Sequence, residues 1–402
     1  MRKFAVVSIA LPPSQSGQSV VLYHLLKKID PSEYCLITQK NFHLYRNQGN
    51  CSVQLPTPYY FLHPDYQVTR VITAVAGKLH WPALLGMILK LRVRQITRIL
   101  ERERPQAVVA CTADLYDPPA SFIASKALGI PFILYIFDYY SFQGTGQTIH
   151  DFAGHFEEIL VRGASGVIVS NECMRDAYRE RYHVDATIIR NPFDIDEYHR
   201  SAGCTPAENL AGMDKENIVY TGAIYDAHYD AFRNLLSAIR KTGNRYTLHL
   251  YTPQSPRHLV ENDITGPGVV VHEARPMMSI PAIQKGAHVL FLPLSFNPEL
   301  REIIRTSAPA KIGEYLASER PILVHAPEDS FISWYFRKYR CGLVVDENDT
   351  DQLAKALERL STDENLRREL TLNACERAKT DLDVSVSRKR FLAMIEKASQ
   401  GS

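Results

Sequence analysis

The run Thr306-Ser307-Ala308-Pro309-Ala310-Lys311-Ile312-Gly313-Glu314-Tyr315-Leu316-Ala317-Ser318-Glu319-Arg320-Pro321-Ile322-Leu323 decides how this chain is read. Small polar residues and a proline lead into a short helix, expected over Ala310–Ala317, which stops before an apolar strand at Pro321–His325. Lys311 and Glu314 are three apart, so both project from one helical face. A lysine beside the positive end of a helix suits a diphosphate. A carboxylate one turn later can accept hydrogen bonds from a ribose diol.

Working outward, the same alternation of short apolar run and helical pattern continues in both directions, as in parallel-sheet α/β domains. In the second half, strands are expected at Asn217–Thr221, Thr247–Tyr251, Val269–His272, His288–Pro293 and Gly342–Val345. Helices are expected near Ala231–Lys241, Ser330–Arg337 and Thr350–Leu360. In the first half the strands are Lys3–Leu11, Tyr34–Thr38, Ala107–Cys111, Pro131–Phe137, Gly166–Ser170 and Ala186–Ile189. Between them fall helices at Gln18–Lys28, Leu84–Arg104, Pro119–Ala127, Phe152–Arg162 and Glu172–Arg179, the last with an N-cap at Ser170. Asn191-Pro192-Phe193-Asp194 breaks the pattern, and the polar stretch through Lys215 reads as a linker. The chain thus divides into 1–195 and 196–384, two Rossmann-like α/β domains facing across a cleft at the carboxyl ends of their sheets.

Size and composition agree. At 402 residues, the chain is too long for one ordinary core. With 45% hydrophobic and 22% charged residues it is a globular protein. Its 46 Lys and Arg nearly balance 44 Asp and Glu, which argues against a nucleic-acid partner. The cysteines Cys35, Cys51, Cys111, Cys173, Cys204, Cys341 and Cys375 are scattered with no C-x-x-C pair, which points to a reducing, cytoplasmic compartment and away from a zinc site. Arg2-Lys3 and the apolar run to Leu11 imitate a signal peptide, but Pro12-Pro13 cuts the run short and no small-residue cleavage site follows. No run approaches a membrane span; Pro82 to Leu89 is among the longest. The basic, aromatic and apolar segment 78–98 reads first as a helix packed on the first sheet. Its second reading is a peripheral contact with an anionic membrane.

Gly17, in the turn after the first strand, and Gly222, at the end of Ile218–Thr221, would each let a backbone approach phosphate or sugar without a Cβ in the way. For Gly17 an ordinary βα turn explains the residue at least as well. For Gly222 such a turn is common, and the functional reading is favoured only because Lys311 and Glu314 follow at the expected distance. Competing motifs fail. Gly144-Thr145-Gly146 lacks a third glycine, and there is no G-x-x-x-x-G-K-[ST], H-E-x-x-H or G-x-S-x-G. Asp194-Ile195-Asp196 and Asp381-Leu382-Asp383 resemble metal-binding acidic pairs, although a turn or helix cap explains each more simply. No metal or cofactor is expected.

With these residues in place, the chain resembles a GT-B fold glycosyltransferase of the broad, retaining family 4 group. Pro309-x-Lys311 with Glu314-Tyr315-Leu316-Ala317 and Arg320-Pro321-Ile322-Leu323 carries most of the likeness. Thr221-Gly222, Ser170 and Asn191-Pro192-Phe193 support it. The resemblance implies a UDP- or GDP-sugar donor and a glycan or lipid-linked glycan acceptor. The first domain would serve the acceptor, with a C-terminal helix, 385–402, packing back onto it, and the second would serve the donor. Glu314 would hold the ribose hydroxyls. Lys311 and the backbone at Arg305, Thr306 and Ser307 would hold the diphosphate, bordered by Gly222, and the Gly17 loop would reach the donor from the first domain.

Three departures from the family pattern stand out. Thr306 sits where a second glutamate is frequent. No Lys or Arg follows Gly222 before Arg233, a gap that Arg301 or Arg305 could fill. Phe137-Asp138-Tyr139-Tyr140 replaces a frequent histidine, leaving Asp138 to bind sugar hydroxyls or acceptor. Asp138 and Lys311 are therefore the expected catalytic pair. Two alternatives share the fold: a non-hydrolysing nucleotide-sugar epimerase using Asp114, Asp117 and Asp138, and a non-catalytic nucleotide-sugar-binding partner subunit.

Overall fold

A computed structural model describes residues 3–14, 16–42, 54–142, 146–204 and 215–400. The chain forms two compact units, residues 1–192 with 385–402, and residues 193–384.

Unit 1 is built on seven parallel strands: β1 (Phe4–Val7), β2 (Tyr34–Gln39), β3 (Tyr59–Leu62), β4 (Val108–Cys111), β5 (Phe132–Ile136), β6 (Gly166–Val169) and β7 (Thr187–Ile188). They run in the order β3-β2-β1-β4-β5-β6-β7. The connecting helices are α1 (Gly17–Leu26), α2 (Tyr66–Lys78), α3 (Pro82–Glu103), α4 (Asp117–Leu128), α5 (Gln147–Gly163) and α6 (Glu172–Tyr182). Because successive strand residues point to opposite faces, a continuous apolar run covers both sides of a sheet. Ala5 and Val7 join Leu85, Ile88, Ile96 and Leu100 of α3 and Ala120 of α4 in one core. Phe4 and Val6 join Val21, Leu22 and Leu25 of α1 in the other, together with Phe391 and Ile395 of the C-terminal helix Val384–Gln400.

Several local expectations change. The first strand ends at Val7 rather than Leu11, since the Ser8 hydroxyl takes the Ala10 amide at 3.0 Å and turns the chain out of the ladder. The cap of α6 is Asn171, not Ser170: its side chain accepts from the Met174 amide at 3.0 Å and donates to Ser170 at 3.0 Å. Edge strand β3 and helix α2 carry no signal that the sequence reading used. The only fully buried residues of α2 are Thr69 and Ala76, so its apolar residues do not mark an inward stripe.

Unit 2 has β8 (Glu216–Thr221), β9 (Tyr246–Tyr251), β10 (Val269–His272), β11 (Val289–Pro293), β12 (Ile322–His325) and β13 (Leu343–Val345). The helices are α7 (Ile195–Cys204), α8 (Tyr229–Lys241), α9 (Pro256–Glu261), α10 (Ile280–Lys285), α11 (Arg301–Thr306), α12 (Ile312–Ala317), α13 (Phe331–Tyr339), α14 (Thr350–Thr362) and α15 (Glu364–Arg377). The C-terminal helix is α16. Within the expected linker, Ile195–Cys204 is helical instead, with Asp194 accepting from the Glu197 amide at 3.1 Å; 205–214 lies outside the described residues. One face of this sheet, through Ile218, Tyr220, Leu248 and Phe291, packs on Phe232 and Leu235 of α8 and Leu353 and Leu357 of α14. Among the described residues, no helix is long and apolar enough to cross a membrane.

Candidate functional site

The second sheet runs β10-β9-β8-β11-β12-β13, so the chain starts at β8, builds outward one way, then returns to build the other. In open α/β sheets, ligands bind at the carboxyl ends of the strands where that direction reverses, here β8 and β11. Gly222 leaves β8 with φ of +125°, its amide bonded to the Tyr251 carbonyl at 2.9 Å. Only glycine adopts such a backbone without strain. It also makes room, because a Cβ at Gly222 would lie 3.1 Å from Lys311 Nζ.

Lys311 is the capping residue of α12, one position before the helix expected to contain it. Packing fixes its place. Tyr315 and Leu316 are buried, and the Tyr315 hydroxyl accepts from the Thr221 amide at 3.2 Å, tying α12 to the end of β8. Gly313 lies so close to Phe193 that an added Cβ would come within 2.6 Å of that side chain. The Lys311 ammonium stands 3.7 Å from the centre of the Tyr220 ring, a cation–π contact. It has no hydrogen-bond or ion-pair partner among the described residues. Loss of water around it pulls its pKa down to about 7, against the opposite pull of Glu314.

Glu314 is held from one side. Its Oε2 accepts from Gln284 Nε2 at 2.8 Å, and the same amide reaches Thr221 Oγ1 at 3.0 Å. Gln284 Oε1 in turn accepts from the Tyr198 hydroxyl at 2.8 Å. Gln284 is fully buried and orients the carboxylate. The other carboxylate oxygen makes no hydrogen bond to a described residue. Burial raises the Glu314 pKa, opposed by Gln284 and by Lys311. Neither Gln284 nor Tyr198 belongs to a recognisable motif, which is why sequence reasoning missed them.

The remaining candidates are spread out. Thr306 is buried, and Ser307 donates its amide to the Ile304 carbonyl at 3.2 Å as α11 ends. Arg301 is committed to Asp329 at 2.9 Å, whereas Arg305 is exposed with no partner among the described residues. A buried residue close to Lys311 had gone unnoticed: His228, six positions after Gly222. Its Nδ1 has no hydrogen-bond partner among the described residues, its ring lies 4.3 Å from that of Tyr225, and burial and the Lys311 charge push its pKa well down. In unit 1, Gly17 opens α1 behind the Ser16 cap, and Asp138 is exposed beyond β5, its carbonyl accepting from Thr112 Oγ1 at 3.1 Å.

Four acids of the competing readings, Asp114, Asp117, Asp194 and Asp381, serve the fold. Asp114 accepts from the Tyr116 and Asp117 amides at 2.7 and 2.9 Å and from Gln39 at 2.7 Å. Asp117 is buried 3.6 Å from Arg92. Asp194 caps α7, and Asp381 accepts from the Tyr335 hydroxyl at 2.9 Å.

Two family matches decide the assignment. Residues 45–197 match Glycosyltransferase Family 4, and residues 215–363 match Glycosyl transferases group 1. The chain is a family 4 glycosyltransferase of the GT-B fold. Solved glycosyltransferases share that fold at low identity. A trehalose-phosphate synthase (UDP-forming) from Burkholderia vietnamiensis superposes with a TM-score of 0.71 at 11% identity, covering all of both chains. HepE from Anabaena, in complex with UDP-glucose, gives 0.69 at 14% over 98% of this chain and 100% of the other. A glycosyltransferase from Rickettsia africae gives 0.68 at 11% over 100% and 99%. No curated protein matches this glycosyltransferase by sequence.

Proposed function

We propose that this glycosyltransferase moves a sugar from a nucleoside diphosphate sugar, uridine or guanosine, to a hydroxyl of a glycan or lipid-linked glycan during polysaccharide assembly. The observation that carries the donor is Lys311: a crowded ammonium beside Gly222 and over the Tyr220 ring, with no hydrogen-bond or ion-pair partner among the described residues. A diphosphate would supply the missing acceptors. Glu314, held by Gln284, would take the ribose hydroxyls on its free oxygen.

In the reaction, the bond between the sugar C1 and the diphosphate oxygen breaks, and the electron pair leaves with the diphosphate. The acceptor oxygen bonds to C1 and gives its proton to the departing diphosphate oxygen. Lys311 stabilises the departing charge, so the transfer is proposed to need no metal. Retention of configuration rests on the family resemblance. Arg305, Thr306 and Ser307 would line the phosphates, while in unit 1 Gly17 would meet the donor and Asp138 would bind sugar or acceptor hydroxyls. HepE was crystallised with UDP-glucose, which makes a uridine donor the first to test. A cytoplasmic location suits Cys35, Cys111, Cys173, Cys341 and Cys375, none of which is in a disulfide.

The test is a thermal-shift series with nucleoside diphosphates and their sugars. A ligand present at a hundred times its dissociation constant adds about 2.7 kcal/mol of stability. Lys311→Met should abolish most of the response, lowering affinity by about 10- to 150-fold, the range for a hydrogen bond to a charged group. Equal shifts in the wild type and Lys311→Met would remove the lysine from the donor site.

A further inference from the structure

Helix α2 is amphipathic the wrong way round. Val68, Val71 and Val75, continued by Leu79 after its end, all face solvent, with Val71 and Leu79 at 62% and 63% exposure. Trp81, in the short turn to α3, is 53% exposed. On α3, Ala83, Met87 and Leu91 follow at intervals of four and are exposed, Met87 by 65%. A stripe beside them, also at intervals of four, is Lys90, Arg94 and Arg98, all exposed. The opposite side of α3 is the one that packs, through Leu85, Ile88, Ile96 and Leu100. The surface therefore runs from an apolar wedge around the α2–α3 turn to a basic flank.

Charge narrows what could cover it. From Tyr66 to Leu100 there is no Asp or Glu; acids resume only at Asp65 and Glu101. Of the six Lys and Arg in that span, Arg92 is buried, and Arg70, Lys78, Lys90, Arg94 and Arg98 face solvent. A second copy of the chain would bring like charges together across the same face. Scattered valines, a methionine, two leucines and a tryptophan beside unopposed cations match the interface of an anionic bilayer, where apolar groups enter the acyl boundary, Trp sits at the headgroups and Lys and Arg meet the lipid phosphates.

We propose that the α2–α3 hairpin docks this enzyme onto an anionic membrane surface, seating Val71, Leu79, Trp81 and Met87 in the lipid interface. The inference uses unit 1 alone and is independent of the donor reading. It favours a lipid-linked acceptor over a soluble one.

The chain has two tryptophans, Trp81 and Trp334, so Trp334→Phe in the full chain makes Trp81 the sole reporter. With vesicles of phosphatidylcholine and phosphatidylglycerol, the protein should sediment and Trp81 emission should shift to the blue. With phosphatidylcholine alone both effects should be slight, and salt should weaken them. Lys90→Gln with Arg94→Gln should lower the partition coefficient about 25-fold, from about fivefold per cation near a charged surface. Val71→Ser with Leu79→Ser should lower it by about tenfold or more. These side chains are exposed, so each variant should melt with the parent, and the donor-induced thermal shift gives a separate check of folding. Absence of sedimentation with anionic vesicles, or equal binding to neutral ones, would overturn the proposal. So would self-association, seen by analytical ultracentrifugation, that Val71→Ser with Leu79→Ser abolishes while vesicle binding is absent.

Discussion

Each unit places an acid and a base in its βα connections, and the two pairs are treated in opposite ways. In unit 1, Arg92 is fully buried: its Nε lies 3.6 Å from Asp117, and its Nη2 donates to the Pro64 carbonyl at 2.8 Å and Thr69 at 3.1 Å. Gln39, the last residue of β2, bridges Asp114 and Asp117 at 2.7 and 3.1 Å. In unit 2, Lys311 and Glu314 stand one turn apart yet form no ion pair. Arg92 Nε and Nη1 and Asp117 Oδ1 also lack a hydrogen bond to a described residue, so the difference lies in the ion-pair contact that only the unit 1 pair makes. Charges that answer one another hold α2, α3 and α4 together. Charges kept apart on a rigid frame are available to something else. The lesson is that a pair's partners, rather than its burial, separate a structural from a functional role.

The largest effect should come from breaking the pair that is closed. Asp117→Ala removes the carboxylate facing the buried Arg92 guanidinium, and breaking such a pair typically costs about 3–5 kcal/mol. The measurement belongs above pH 7, because burial and the Asp114 charge raise the Asp117 pKa to about 7. Urea denaturation followed through Trp81, the tryptophan of unit 1, would show it. Nucleotide affinity should change little, since Asp117 is buried beside Arg92 and is none of the residues proposed to touch the donor. A loss below about 1 kcal/mol, the scale of an exposed pair, would mean that the Arg92 contact is not holding the fold.

How much of this could be read from the chain depends on what each residue packs against. Strands buried on both faces, such as Gly166–Val169 and Val289–Pro293, announce themselves as unbroken apolar runs. Lys311, Glu314 and Gly222 were visible because their spacing has a direct physical meaning, and the fold brings Lys311 against Gly222 from almost ninety residues away. Helix α2 was not read because its large apolar residues, Val68, Val71 and Val75, face solvent at helical spacing, while the positions it buries are only Thr69 and Ala76, too small and mixed to mark a packed face. Gln284 and Tyr198 act only through contacts across the fold, for which no local pattern exists. His228 was overlooked because a search for Lys or Arg after Gly222 passes over a residue that is neutral in this setting.

The open pair makes a pH-dependent prediction of intermediate size. In the empty protein the Lys311 ammonium loses its proton near pH 7, far below its ordinary value, because surrounding protein has replaced water. A bound diphosphate favours the charged form and raises that pKa. Binding above about pH 7 must therefore take up a proton, and affinity should fall by about tenfold per pH unit until the bound-state pKa is reached. Below pH 7 the slope should flatten. A nucleotide sugar is the proper probe, because its diphosphate is esterified at both ends and has no proton of its own to lose in this range. His228 and Glu314 face the same amine, so the control is Lys311→Met, in which the slope should disappear. A slope that survives there would assign the titration to one of those neighbours and make Lys311 a second closed charge.

The smallest effect tests the other half of the pair. Glu314 has one oxygen fixed by Gln284 and one left over, a geometry suited to a single added donor. If that donor is a ribose hydroxyl, Glu314→Gln should cost about fivefold in affinity, the worth of one ordinary hydrogen bond of about 1 kcal/mol. Loss of affinity alone would not separate a ribose contact from a general disturbance of Lys311. Deoxynucleotides do separate them. Wild-type protein should prefer the ribonucleoside diphosphate over its 2′- or 3′-deoxy analogue by a similar factor, and Glu314→Gln should bind them nearly alike. An undiminished preference in Glu314→Gln would show that the sugar is read elsewhere and that Glu314 serves only to bias the proton on its neighbour. The pH slope of Glu314→Gln would then shift to lower pH, because removing the carboxylate removes the one nearby charge that holds the Lys311 pKa up.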